Sequence, residues 1–386
     1  MKRIYLDYNA TAPLDFRARA AMEPYLDLRG NPSSQHAEGR RARAAIDLAR
    51  ERIAALLRVK PREIVFVSSG SQSNSLGILG LARALRGKGN HLICSAIEHP
   101  AVSQSMAYLE REGFLVSRAP VDRFGMVDPE ALAAILRPET ILVSILSASN
   151  EVGTRQPMRK IGRICAERGV VLHSDVVQSA GKEDLCFSEW GVSSASLAAH
   201  KFGGPLGAAV LYVRSGLHLD RVIFGGEQEG GRWPGTENVA AIVGMAEALA
   251  WAEEERKAGS IRQWELTERL WQGIADLPGI RRWGHPSQRL TNTLAVSFSQ
   301  LDGESLRIAL DLEGIAVSGG SACSSGALRP SPVLLAMGAS EAEARSMVRF
   351  SIGPGIGSEE IEETIRRFRK VVSRVEACSF AQKKAG

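Results

Sequence analysis

The chain has 386 residues, of which 44% are hydrophobic and 24% charged, a composition typical of a globular protein with a large core of its own. The formal net charge of +5 is small for this length, so charge alone does not indicate binding to nucleic acid. The sequence has no run of about eighteen apolar residues, which excludes an ordinary membrane-spanning helix.

The cysteines are scattered along the chain and form no CxxC pair, which argues against a disulfide framework and a structural zinc site. They stand at positions 94, 165, 186, 323 and 378. Met1-Lys2-Arg3 leads directly into Ile4, without an apolar segment of signal-peptide length. We therefore expect a cytoplasmic protein without a bound metal.

The first part of the chain predicts strands that alternate with helices. The predicted strands lie at residues 63–67, 91–95, 114–121, 140–147, 170–173, 194–197 and 208–213. In the predicted helix at 40–58, Ile46, Ala49 and Ile53 recur at helical spacing. The alternation predicts an α/β fold with a mainly parallel, mixed sheet flanked by helices on both faces. Ligands bind such sheets at the carboxyl ends of the strands.

After this sheet the sequence predicts two helices, at about 237–256 and 260–277, that lead to a smaller α/β unit. The strands predicted there lie at 293–298, 315–318 and 347–352, and the helices at 304–313 and 359–377. We expect a large domain at residues 16–258 and a small C-terminal domain at 259–386. Residues 1–15 are expected to pack near the active site and the small domain.

Two charged residues follow predicted strands of the large domain. Lys201 stands between small residues and a glycine-rich turn. A lysine that forms a Schiff base needs small neighbours, so that a flat cofactor can approach, and partial desolvation, so that its amine can be neutral. Asp175 could keep a pyridine nitrogen protonated, which makes the ring an electron sink. Taken singly, Lys201 also fits a surface lysine and Asp175 a helix cap.

Ser69-Gly70-Ser71 lies between a strand and a helix, where backbone N–H groups and hydroxyls suit a phosphate. The segment also fits an ordinary helix cap, and it lacks the GK[ST] of a Walker loop. The glycine-rich run at 353–357 contains a proline and lies late in the chain, which argues against a dinucleotide fingerprint. His99 could stack on a cofactor ring or transfer protons; alone, it fits a structural histidine.

Cys323 stands in a run of small polar residues from Ser318 to Gly326, which predicts an exposed and flexible loop. A thiolate there would be a nucleophile. A mobile loop would carry the sulfur first to a substrate and then outward to an acceptor. The alternative is an inert loop cysteine.

Together and in this order, the segments resemble the cysteine desulfurases, pyridoxal-phosphate (PLP) enzymes with the class V aminotransferase-like fold. The resemblance covers nearly the whole chain, at residues 5–11, 30–34, 98–100, 150–153, 173–178, 200–201, 225–229, 234–238, 318–326 and 349–353. It implies fold type I, with a large PLP-binding domain, a small domain that carries the Cys323 loop, and a homodimer.

The resemblance also implies the residues that bind the cofactor, which are Gly70, Ser71, His99, Asn150, Asp175, Gln178, His200, Lys201 and Thr236. Lys201 would form the Schiff base, His99 would stack on the ring, Asp175 would pair with the ring nitrogen and Gln178 with the ring hydroxyl. The phosphate would contact Gly70, Ser71 and His200, and Thr236 from across the dimer interface.

For the substrate, the resemblance implies that Asn150 and Arg349 bind the carboxylate of L-cysteine. Lys201, His99 and Cys323 would be catalytic, and the products would be L-alanine and a persulfide on Cys323. The persulfide would pass to an acceptor protein such as an iron–sulfur scaffold or a thiolation enzyme. Neither a membrane nor a nucleic acid is expected as a direct partner.

Other functions remain open at this point. A selenocysteine lyase or another class V enzyme shares the fold, but simple elimination needs no protein thiol such as Cys323. An aminotransferase would need a keto acid. A non-catalytic scaffold that docks sulfur acceptors or tRNA would have no physical need for Lys201, Asp175 and Cys323 together.

Four positions depart from the family pattern. Ser71 replaces a threonine, Gln72 an acidic residue, and Trp233 an arginine. Ala198 replaces a serine or threonine that commonly contacts the phosphate, so we expect weaker cofactor binding from the loss of that contact.

Overall fold

A computed structural model describes residues 2–320 and 330–385. The strands are β1 (Ile4–Tyr5), β2 (Ile64–Val67), β3 (His91–Ser95), β4 (Leu115–Ala119), β5 (Thr140–Ser144), β6 (Val171–Asp175), β7 (Ser194–Ala198), β8 (Ala209–Val213), β9 (Ile280–Trp283), β10 (Thr293–Phe298), β11 (Ile315–Ala316) and β12 (Val348–Ser351). The α-helices are α1 (Phe16–Leu26), α2 (Ala37–Leu57), α3 (Gly70–Ala84), α4 (Pro100–Arg111), α5 (Pro129–Ile135), α6 (Met158–Glu167), α7 (Val239–Gln272), α8 (Gly303–Leu312), α9 (Pro332–Ala336), α10 (Glu341–Arg345) and α11 (Ser358–Ala385).

The main sheet has seven strands in the order β2-β8-β7-β6-β5-β3-β4. Its neighbours pair in parallel from β4 through β7, whereas β8 is antiparallel to both β7 and β2. Every residue of β3, β5, β6 and β7 is buried, as expected for strands covered by helices on both faces. The predicted α/β fold with a mainly parallel, mixed sheet is confirmed.

Helix α7 is one continuous helix of 34 residues, so the prediction of two helices at 237–256 and 260–277 is wrong. A glycine inside a helix costs only about 1 kcal/mol, and Gly259 does not interrupt α7. The two ends of α7 pack in different cores, with Met245 in the core of the main sheet and Leu270 in that of the smaller unit. Neither α7 nor any other helix in residues 2–320 and 330–385 is long and apolar enough to cross a membrane.

The smaller unit contains an antiparallel sheet in the order β12-β10-β9. Strand β9 was not predicted, because its sequence Ile-Arg-Arg-Trp lacks a simple apolar alternation. The N-terminal segment joins this unit, since β1 pairs in parallel with β11 and Ile4 and Leu6 lie in its core.

The N-terminal segment then crosses to the main sheet. The N–H of Ala12 donates to the carbonyl of His200 over 2.8 Å, and that of Asp15 to Gly203 over 2.9 Å. Residues 7–12 therefore lie between the smaller unit and the turn that carries Lys201. We keep residues 16–258 and 259–386 as the proposed domains; their boundary falls inside α7.

Candidate active site

A cavity of about 190 Å³ lies at the carboxyl ends of the strands of the main sheet. All but two of the predicted site residues line it: Gly70, Ser71, His99, Asn150, Asp175, Gln178, His200, Lys201 and Arg349. The chain leaves the ends of β2, β3, β5, β6 and β7 just before these residues, and Arg349 enters from β12. Residues that are remote in sequence thus line a single cavity.

Lys201 ends a short 3₁₀ turn, Ala199–Lys201, directly after β7. Its Nζ donates to the carbonyl oxygens of Asn9 (2.7 Å) and Ala10 (2.9 Å). Gly204 permits this tight turn, because a Cβ there would lie 2.7 Å from the Cβ of Ala199. The N-terminal segment therefore positions the amine, a contribution that the sequence did not predict.

Asp175 is the last residue of β6 and is 8% exposed. Its Oδ2 accepts from Asn74 Nδ2 (2.7 Å) and its Oδ1 from the N–H of Val177 (3.0 Å). Asn74 Oδ1 lies 3.0 Å from Nε2 of His173, and burial lowers the pKa of His173 to about 3, so this ring is neutral. Two hydrogen bonds thus fix the carboxylate at the edge of the cavity.

Sequence reasoning missed Asn74 and His173, although a signal for each was present. His173 precedes Asp175 by two residues in the same strand, so both side chains lie on one face of the sheet. Asn74 lies one turn into the helix that starts at the predicted phosphate loop.

His99 caps helix α4, where its Nδ1 accepts from the N–H of Ala101 (3.1 Å). The proton of the neutral imidazole is therefore on Nε2. Burial lowers the pKa of His99; Asp175 opposes this effect and Lys201 adds to it. A neutral, flat ring thus forms one wall of the cavity.

Glu98, the residue before His99, ties the end of β3 to the segment after β5. Its Oε1 accepts from Ser95 Oγ (2.6 Å) and from the N–H of Leu146 (2.9 Å). Burial raises the pKa of Glu98 to about 8, so at neutral pH most of it is protonated. The neutral acid holds the backbone that precedes His99 without adding a charge next to Asp175.

Helix α3 begins at Gly70, and Ser69 caps it by accepting from the N–H of Gln72 (3.2 Å). The first N–H groups of a helix lack partners within it and suit an anion. A Cβ at Gly70 would lie 3.2 Å from Val177 Cγ2 and 3.3 Å from Ala198 Cβ, so glycine keeps this end of the cavity open. Ala198 itself supplies no hydroxyl.

His200 stands beside this anion site, with Nδ1 3.1 Å from Thr11 Oγ1. Burial, together with the positive charges of Lys201 and Lys182, lowers the pKa of His200 to about 4. His200 is therefore neutral at physiological pH. A phosphate here would be bound mainly by backbone N–H groups rather than by a second cation.

Arg349 is 1% exposed and reaches the cavity from the smaller sheet. Its Nη2 donates to Asp7 Oδ1 (2.7 Å) and its Nη1 to the carbonyl oxygen of Asn150 (2.8 Å). Its Nε is buried and has no hydrogen-bond partner. A buried guanidinium with one unsatisfied donor suits a carboxylate ligand.

The donor set fits a planar heterocycle that carries a phosphate and an aldehyde. The lysine amine, the fixed carboxylate, the flat imidazole and the helix N-terminus enclose one cavity. In the part of the chain that the structure describes, no group of three or more His, Cys, Asp or Glu residues could hold a metal ion.

Comparison with known proteins agrees with this geometry. The family model for aminotransferase class-V matches residues 4–364. Cysteine desulfurase IscS of Dictyoglomus turgidum is 41% identical over 98% of this chain and 97% of that protein. The chain belongs to the cysteine desulfurases of the class-V aminotransferase family. Cysteine desulfurase IscS of Methanosarcina thermophila is 40% identical over 97% of this chain and 93% of that protein.

Solved structures of related proteins show the same fold. A NifS-like protein superposes with a TM-score of 0.91 at 35% identity over 96% of this chain and 100% of that one. SspA in complex with cysteine superposes with a TM-score of 0.81 at 35% identity over 92% of this chain and 99% of that one. Enzymes of this family use PLP, which the donor set of the cavity fits.

Two predicted site residues of this cysteine desulfurase are not among the described residues that line the cavity. Thr236 is exposed and does not line the cavity of its own chain. Cys323 lies outside the described residues, but the residues on either side of its segment meet at Glu151. The carboxylate of Glu151 accepts from Ser331 Oγ (2.5 Å), and a Cβ on Gly320 would lie 3.3 Å from its Oε2. Both ends therefore lie beside the neighbour of Asn150.

The other cysteines whose side chains are described are buried: Cys94, Cys165 and Cys186. Burial raises the pKa of Cys94 and of Cys165 to about 12, so both remain thiols. Neither is a candidate for the reactive thiolate.

Proposed function

We propose that this chain binds PLP in the cavity beside Lys201 and converts L-cysteine to L-alanine, with the sulfur carried as a persulfide on Cys323. One observation carries the proposal: Lys201, Asp175 and His99, distant in sequence, line a single cavity that opens onto the N-terminus of α3. The related SspA, solved with cysteine, supports cysteine as the substrate.

The proposed contacts with the cofactor follow from the donors that are present. Bound PLP would supply a ring that withdraws electrons from the Cα of the substrate. Asp175 would hold the ring nitrogen, and His99 would cover one face of the ring. The N–H groups at Gly70 and Ser71, with His200 beside them, would hold the phosphate, and Gln178 the ring hydroxyl.

Lys201 is the proposed base. Its amine is already held by the carbonyl oxygens of Asn9 and Ala10, and in its neutral form it can take a proton from Cα. The same amine would return a proton to carbon when alanine forms. Arg349 and Asn150 would hold the carboxylate so that the Cα proton faces Lys201.

Sulfur transfer balances without an added oxidant or reductant. The Cys323 thiolate attacks the sulfur of the substrate, so an S–S bond forms and the C–S bond breaks. The electron pair of the C–S bond stays with carbon, which takes up a proton and becomes the methyl group of alanine. A second thiol, on an acceptor protein such as an iron–sulfur scaffold or a thiolation enzyme, then takes the outer sulfur.

We further propose a homodimer in which Thr236 reaches the phosphate of the partner subunit. Large apolar side chains stand exposed near Thr236: Ile223 at 41% and Phe224 at 81%. A Cβ on Gly225 would lie 2.7 Å from Pro234, so these side chains border the segment that carries Thr236. An exposed apolar patch next to a polar residue is typical of an interface. Cys323 must also be a free thiol before it can attack, so we place the reaction in the reducing cytoplasm.

The test is mass spectrometry of the Cys323 peptide after the purified holoenzyme has been incubated with L-cysteine. We expect the mass of one added sulfur atom on Cys323, and stoichiometric alanine. The Cys323→Ser variant should still bind cysteine but release no sulfide under reductant. Full sulfide release from that variant would remove Cys323 from the mechanism, and parallel assays with selenocysteine would reveal a lyase.

A further inference from the structure

Lys182 is connected to Lys201 by a continuous series of hydrogen bonds. Lys182 Nζ donates to Gln178 Oε1 (3.0 Å), and Gln178 Nε2 donates to the carbonyl oxygen of Asn9 (2.9 Å). The same carbonyl accepts from Lys201 Nζ (2.7 Å). A lysine that the sequence did not single out is thus two hydrogen-bond partners away from the proposed base.

This series fixes the orientation of the Gln178 amide. An ammonium group can only donate, so Lys182 must face the amide oxygen, and the amide NH₂ of Gln178 must face the opposite way. If the amide were reversed, its oxygen would face the Asn9 carbonyl, and two acceptors would meet. Gln178 is buried and lines the active-site cavity, so the orientation of its amide decides whether it offers a donor or an acceptor to a ligand in the cavity.

Lys182 also brings a positive charge close to other positive charges. Burial, together with the positive charges of Lys201 and Arg349, lowers its pKa to about 7, and burial is the largest of these causes. Among the described residues, Glu183 opposes these effects, and it already accepts from Ser179 Oγ (2.6 Å) and Arg155 Nη1 (3.2 Å). Repulsion between like charges is mutual, so a charged Lys182 disfavours a charged Lys201.

Lys182 does not line the active-site cavity. It lines a second cavity of about 410 Å³, between α7, the N-terminal segment and residues 352–355, and Lys201 lines both cavities. Lys182 therefore lies outside the active-site cavity, on the side of the second cavity, and cannot contact the reacting atoms itself.

We propose that Lys182 is a positioning residue: its Nζ holds Gln178 with the donor end toward the active site, and its protonated form favours the neutral form of the Lys201 amine that a base requires. A buried second cation is a known way to make a lysine amine reactive. This inference rests on the proposed function only in that Lys201 carries PLP.

The test compares holoenzymes of the wild type, Lys182→Met and Lys182→Arg by the pH dependence of the visible absorbance band of bound PLP. Methionine keeps the volume but removes charge and donor, so we expect the midpoint to rise by about one pH unit. Arginine keeps both the charge and the donor and stays charged over the whole pH range. The midpoint of Lys182→Arg should therefore lie at or below that of the wild type. Lys160→Met, the same change at an exposed lysine on α6, should leave the midpoint unchanged.

A second comparison isolates the contact with Gln178. PLP should dissociate more readily from Lys182→Met than from the wild type, whereas Lys182→Met/Gln178→Ala should lose no more affinity than Gln178→Ala alone. The charge effect should persist, so the double variant should still show the raised midpoint.

The outcomes separate this inference from the proposed function. A wild-type protein without a visible band would contradict PLP binding itself. If the visible band has the same midpoint in the wild type and in Lys182→Met, the proposed role of Lys182 is refuted, whereas PLP binding is not. If Lys182→Met does not fold, a midpoint for Lys182→Arg above that of the wild type would overturn that role equally.

Discussion

Arg349, which lines the active-site cavity, forms a partly buried ion pair with Asp7, with Nη2 2.7 Å from Oδ1. The pair joins the last strand of the smaller sheet to the N-terminal segment, so the proposed substrate-binding guanidinium is held in place before any substrate arrives. The guanidinium of Arg349 has several donors in one plane, so Nε can bind a ligand while Nη1 and Nη2 donate to protein oxygens.

We expect Arg349→Lys to raise the KM for L-cysteine by about tenfold to a hundredfold, because an ammonium group cannot keep the contacts with Asp7 and Asn150 and also offer the Nε donor to a carboxylate. Steady-state kinetics of the holoenzyme measure the change. Arg366→Lys, at an exposed position on α11, is the matched control and should leave KM unchanged. An unaltered KM for Arg349→Lys would place the carboxylate site elsewhere.

Asn74 is expected to support PLP binding through Asp175. Asn74→Ala removes the 2.7 Å hydrogen bond to Asp175 Oδ2 and leaves His173 Nε2 without its partner. Each lost hydrogen bond is worth about 1 kcal/mol, so the Kd for PLP should rise about fivefold or more. Equilibrium titration of the apoenzyme with PLP measures this. Asn90→Ala, at the opposite end of the sheet just before β3, should keep the wild-type Kd, and equal Kd values for both variants would refute the role of Asn74.

Ala198→Ser should strengthen PLP binding. Ala198 lines the cavity beside Gly70, and a hydroxyl there would add the phosphate contact that the family commonly has. One new hydrogen bond to a charged group is worth about 1.5–3 kcal/mol, so a Kd at least several-fold lower is expected. Ala209→Ser places the same hydroxyl on the paired residue of β8, in the buried core, and should not lower Kd. A Kd unchanged by Ala198→Ser would show that the phosphate does not lie against β7.

The protonation of Glu98 predicts a pH-dependent stability. Burial raises the pKa of Glu98 from its ordinary value of 4.5 to about 8, so the folded state retains a proton that the unfolded state has lost between these values. The stability that Glu98 contributes should thus be complete below about pH 4.5 and decline as the pH rises to about 8.

Glu98→Gln copies the protonated form, so it should match the wild type near pH 5 and exceed its free energy of unfolding near pH 9. Thermal unfolding of the apoenzyme at both pH values measures this. Glu130→Gln, at an exposed position, should follow the wild type at both. A Glu98→Gln protein less stable than the wild type at pH 9 would show that burial does not raise the pKa of Glu98.

The site could largely be predicted from the sequence because its residues obey a local rule. Gly70, His99, Asn150, Asp175 and Lys201 each follow a strand of the main sheet, and the carboxyl ends of parallel strands meet at one edge. Once the strands had been located in the sequence, it followed that these residues lie close together.

The residues that the sequence did not predict reach the site through long-range contacts. Asp7, Asn9 and Ala10 arrive because β1 pairs with β11, some three hundred residues later, and no local pattern specifies such a pairing. Lys182 follows no strand directly, and only the packed structure shows that its amine lies among other cations. Helix α7 was predicted as two helices, whereas packing of its two ends in different cores keeps it as one.

The central claim is that Lys201, rather than another lysine, carries PLP. Borohydride reduction of the holoenzyme, followed by peptide mass spectrometry, tests it directly, because reduction fixes the cofactor permanently on the lysine that holds it. The account predicts a phosphopyridoxyl group on Lys201, and none at this position in Lys201→Ala. A modified Lys182 with an unmodified Lys201, or no modified lysine in a protein saturated with PLP, would contradict it.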